Sequence, residues 1–144
     1  MTKILGISFL LWSSISFANV TGDWTGWGTW TYEGAGTNCI TMKLSFVETK
    51  DKLKRLGGFF DCQVAEQEVD SGEWIKQGNN LIQDGIVVGN ITENTIHITE
   101  KYSDTVKIVS DIAIEAGHFD YSEVWYDRND IVIYEIAGRL FKRQ

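Results

Sequence analysis

From Trp24 onward apolar residues commonly return at every second position, and no segment holds a 3.6-residue period beyond two turns. Alternation of that kind places one face of a strand in a core and the other in water. Ile40, Met42, Leu44 and Phe46 fall on one face, with Thr41, Lys43 and Ser45 on the other. Val106, Ile108, Ile112 and Ile114 share a face interrupted by Ser110. Phe119, Tyr121 and Trp125 share another, with Glu123 between the rings, and Val132, Tyr134, Ile136, Gly138 and Leu140 form the last.

Strands are expected over 24–32, 39–47, 53–62, 74–76, 80–82, 85–89, 95–102, 106–115, 119–126 and 131–141, with 64–69 as a loop or a helical turn. Turn chemistry separates them, as at Gly34-Ala35-Gly36, Lys50-Asp51, Gly78-Asn79-Asn80, Ser103-Asp104 and Arg128-Asn129-Asp130. Connections this short pair neighbouring strands antiparallel. A meander with one core removes its free edges by closing. The expected fold is therefore all-β, a single antiparallel up-and-down β-barrel of about 8–10 strands.

The amino terminus carries a different signal. Lys3 precedes an apolar run from Ile4 to Trp12, serines then break the run, and Ser16 and Ala18 are the small residues that signal peptidase requires. Residues 1–18 read as a signal peptide cut after Ala18, and residues 19–144 as the β-barrel domain, secreted or periplasmic. The apolar run is too short for a spanning helix, and the mature chain has no transmembrane segment of that kind. The net charge of −7 becomes about −8 once Lys3 is removed, which argues against nucleic acid as a partner.

In an exported chain the pair Cys39 and Cys62 reads first as a disulfide. With Lys50 and Asp51 as a two-residue loop, paired positions sum to 101, and Cys39 faces Cys62 directly. A bulge at Gly57-Gly58 would shift that register by one. His97 lies between Ile96 and Ile98 and is expected at the surface; His118 follows Gly117 at a turn. No metal site and no cofactor is indicated by spacing.

The first strand is rich in tryptophan, with Trp24 and Trp30 on one face, Trp27 on the other, and glycines between. Its start, Gly22-Asp23-Trp24, resembles the Gly-x-Trp signature of the lipocalins and their calycin relatives, which include fatty-acid-binding and avidin-like barrels. The resemblance implies a calycin-like barrel in which Trp24 closes one end and Arg139, near the end of the last strand, packs across it.

Candidate cavity residues are Tyr121, Glu123, Trp125, Met42 and Phe46. A carboxylate among rings is a candidate anchor for a ligand head group or an acid–base group, unless that face lies outside or Glu123 pairs with a cation. Three functions are compatible with the sequence. The first is an exported barrel binding a small apolar or amphipathic molecule. The second is a filled structural or protein-interaction component of the cell envelope, its protein partner unspecified. The third is a cavity enzyme using Glu123 or His118. Rings can line a cavity or fill it, so the sequence leaves open whether the barrel is hollow.

Overall fold

The structure, a computed structural model, describes residues 18–144. The expected signal segment, up to Phe17, lies outside the described residues. Eleven strands follow in order: β1 (Gly22–Tyr32), β2 (Ala35–Glu48), β3 (Lys52–Asp61), β4 (Glu66–Val69), β5 (Gly72–Gln77), β6 (Asn80–Gln83), β7 (Ile86–Ile91), β8 (Thr95–Lys101), β9 (Lys107–Glu115), β10 (His118–Tyr126) and β11 (Val132–Lys142).

All of them belong to one antiparallel sheet, which β1–β11 and β2–β3 pairing close into a ring. β4 and β5 pair with successive stretches of the same edge of β3, so eleven strands occupy ten positions around the ring. Residues 66–69, expected as a loop or helical turn, are therefore a strand. Their sequence, Glu-Gln-Glu-Val, carries no apolar alternation, and pairing with β3 supplies the extended state.

Two bulges set which residues face inward. Met42 pairs with Gly26 and Cys39 with Gly28, so Ile40 and Thr41 together oppose Trp27. The extra residue reverses the alternation: Cys39 and Met42 are buried, and Ile40, expected inside, is 56% exposed. In the β2–β3 hairpin the pairs Phe46–Arg55, Val47–Lys54 and Glu48–Leu53 keep the expected register next to the Lys50-Asp51 loop. Leu56 is then skipped, Ser45 pairs with Gly57, and Met42 faces Phe60 rather than Phe59. Gly57 carries the bend at φ 144°, which a side chain would strain. The cysteines bridge just past the last ladder pair, Thr41–Asp61, with their Cα atoms 3.6 Å apart.

One end of the barrel is filled. Trp24 packs at a tilt against Phe119 with ring centroids 4.5 Å apart, and Phe46 meets Phe119 edge-on. Leu44, Leu53, Trp74 and Leu140 are also buried. Burying a side chain of this size contributes about 2–3 kcal/mol. The segment before β1 plugs this end: Val20 is fully buried, and its carbonyl accepts the Trp24 indole N–H at 2.8 Å. Beside it Glu48 accepts the Ala18 N–H and forms a buried ion pair with Lys76, each at 2.9 Å. Close approach of β1 to β11 explains Gly26, where a Cβ would fall 1.8 Å from the Arg139 carbonyl oxygen.

Candidate functional site

The opposite end is hollow. It lies where β1, β8 and β10 finish and β11 begins, roofed on one side by β4 and the loop after Cys62. The cavity there has a volume of about 820 Å³. Strand parity delivers its polar floor. Phe119, Tyr121 and Glu123 alternate inward along β10, so Glu123 is carried inside by the residues that build the core, at 3% exposure.

Three donors fix that carboxylate. Tyr121 Oη donates to Oε2; Trp125 Nε1 and, at 3.0 Å, Gln67 Nε2 donate to Oε1. Gln67 Oε1 in turn accepts the Tyr134 hydroxyl at 3.3 Å. Each donor is uncharged. Ser110, cross-strand from Glu123, has its hydroxyl buried without a hydrogen bond of standard geometry. Burial pushes the Tyr121 phenol well above the usual tyrosine value, and the charge of Glu123 pushes it further. Tyr134 is raised in the same way, by burial first and then by Glu123 and Tyr102.

A second polar group lies beside the first. Arg55, buried on β3, donates Nε–H to the Asp70 carbonyl at 2.7 Å and both terminal nitrogens to Glu100 at 3.0 Å. Its guanidinium also lies over the Trp74 ring, 5.3 Å from the centroid. Burial opposes the Arg55 charge, but the two-pronged Glu100 contact, with smaller contributions from Tyr121 and Glu123, leaves the Arg55 pKa raised. The upper wall is aromatic. Trp125 stacks on Tyr134 at 4.9 Å, Tyr134 meets Trp30 at 5.9 Å, and Tyr102 caps Trp125 at 4.7 Å.

The expected site residues separate into three places. Glu123 and Trp125 line the cavity, and Tyr121 stands behind Glu123. Met42 and Phe46 belong to the packed core, because their stretch of β2 runs toward the filled end. Trp24 is buried at that filled end. Arg139 does not cross it: β11 parity turns Arg139 outward, where it pairs with Asp120 at 2.7 Å, and Lys142 is the cation over Trp24, 5.8 Å from the ring. His97 pairs with Asp111 on the outer wall, and His118 sits beside Glu115 at the filled end, away from Glu123. Among the described residues, no group of three or more His, Cys, Asp or Glu side chains is placed to hold a metal ion.

Sequence reasoning passed over Arg55, Glu100 and Gln67. The first two were within reach, since Arg55 follows Leu53 and Glu100 follows Ile96 and Ile98 at inward positions. Gln67 carried no such signal.

The geometry defines a closed antiparallel up-and-down barrel, filled at one end and open at the other. No family model matches the sequence, and no curated protein is significantly similar to it. Among solved structures it is similar to Rv2717c from M. tuberculosis, with a TM-score of 0.60 at 12% identity over 87% of this chain and 93% of that one. At that identity the likeness is one of fold.

Proposed function

We propose that this chain is an exported binding module that holds a small apolar or amphipathic molecule in the open end of its barrel. The observation that carries the reading is the cavity of about 820 Å³, large enough for a compact organic ligand, with Glu123 buried against it and aromatic rings above. The lining is mixed: Glu123, Gln67 and Arg55 are fixed by hydrogen bonds beside the rings, and further polar residues stand around them, which suits a ligand with both a polar and an apolar part. Export rests on the order of charge, apolar run and small residues before Asn19, and the Cys39–Cys62 bridge fits an oxidising compartment.

Native mass spectrometry of the protein isolated from the cells that make it tests both parts. The reading predicts a chain beginning at Asn19 together with a bound small molecule that leaves on activation. A chain retaining residues 1–18 contradicts export. A bare mass under gentle conditions favours a module without a resident ligand.

A further inference from the structure

The open end has a charge and ring arrangement that narrows the ligand class. This step rests on the binding reading above and deepens it. Glu123 is nearly fully buried, yet its three partners are all neutral, and it makes no ion pair among the described residues. Arg55 is within electrostatic reach of Glu123 but is ion-paired to Glu100, so this one cation faces two carboxylates. Arg55, the buried cation of the cavity wall, already spends three of its five N–H groups, including the two-pronged edge that would grip a carboxylate, on Glu100 and the Asp70 carbonyl. The rim adds Glu66, Glu68 and Asp70 against a single further cation, Lys101. These rim carboxylates are exposed and screened, so they steer an approaching ligand rather than hold it.

The rings complete the picture. Trp125, Tyr134, Trp30 and Tyr102 form an unbroken chain of contacts beside the carboxylate. The face of an aromatic ring carries negative charge density and attracts a cation, most strongly one that sheds its water easily. An excess of carboxylates over cations beside aromatic rings suits one chemistry. We propose that the open end selects organic cations, specifically an alkylated ammonium carried on an apolar or aromatic body. The ammonium lies in the open end beside the Glu123 and Glu100 carboxylates, and the apolar body points out along Trp125, Trp30 and Tyr102. A carboxylate-headed amphiphile is disfavoured, because it would place a second negative charge against Glu123 with Arg55 already engaged.

Isothermal titration calorimetry of the folded chain with three matched probes decides it: 3-hydroxyphenyl-trimethylammonium, its uncharged isostere 3-tert-butylphenol, and 3-hydroxybenzoate. The cation is expected to bind about tenfold more tightly than the isostere, with no measurable binding of the benzoate. Glu123→Gln is expected to remove most of that preference, read as the ratio of cation to isostere affinity within the variant. The wild-type ratio stands as a test even if that variant folds poorly. Equal binding of cation and isostere overturns the cation inference and leaves the binding module intact. Tighter binding of the benzoate overturns the inference as well. Failure of all three probes to bind contradicts the cavity reading itself.

Discussion

Glu123 occupies its inward position because β10 alternates there, and it survives burial because Tyr121, Trp125 and Gln67 all aim donors at it. Removing the acceptor strands those donors in a poorly hydrated place. Glu123→Leu should cost about 3 kcal/mol, read as a lower urea midpoint with an unchanged slope. An unaltered midpoint would show that the network contributes nothing to stability. The same network governs alkaline behaviour. Tyr121 and Tyr134 have raised pKa values, so the folded state holds their protons where the unfolded chain loses them. Their stabilisation is complete below the unfolded tyrosine value of about 10 and declines as pH rises through it toward the folded values. Spectrophotometric titration should find two of the five tyrosines resisting ionisation until the barrel unfolds. If all five ionise together near the ordinary value, the network is not formed. At this scale the sequence was informative wherever parity held, as for Glu123. It was silent at Gln67, whose role comes from a partner 56 positions away.

Strand alternation made most elements legible, but irregularities in pairing were not. The bulge opposite Trp27 turned Ile40 outward, and the skipped Leu56 moved the β2–β3 register by one beyond the hairpin loop. A register sum assumes one partner per residue, and only Gly57-Gly58 hinted that the assumption fails. β4 was missed because its strand character resides in β3. The disulfide, by contrast, was recoverable from cysteine count and hairpin spacing. It closes a loop of 23 residues' separation that includes the β2–β3 hairpin. Replacing both cysteines by alanine should destabilise the fold by about 3 kcal/mol, through the greater freedom of the unfolded chain. Calorimetric or urea unfolding of the double variant measures it, and a loss below about 1 kcal/mol would show that the bridge is not a stabilising staple.

Ring closure follows from short connections and the absence of proline, both visible along the chain. Whether the ring was solid or hollow was not visible. The aromatic content fits both, and the molecule uses rings both ways. Trp24 and Phe119 pack one end, while Trp30, Trp125 and Tyr134 stand around space at the other. The division depends on the plug before β1 and on the placement of β4, neither of which alternation reports. The central claim is that the open end is an accessible binding cavity. Titration with the uncharged fluorophore N-phenyl-1-naphthylamine tests it most directly, since the dye brightens on leaving water and carries no charge to bias the result. The account predicts saturable one-to-one binding that is lost when Gln67→Trp fills the cavity while circular dichroism stays unchanged. Fluorescence that rises without saturation, or binding that survives Gln67→Trp, would contradict it.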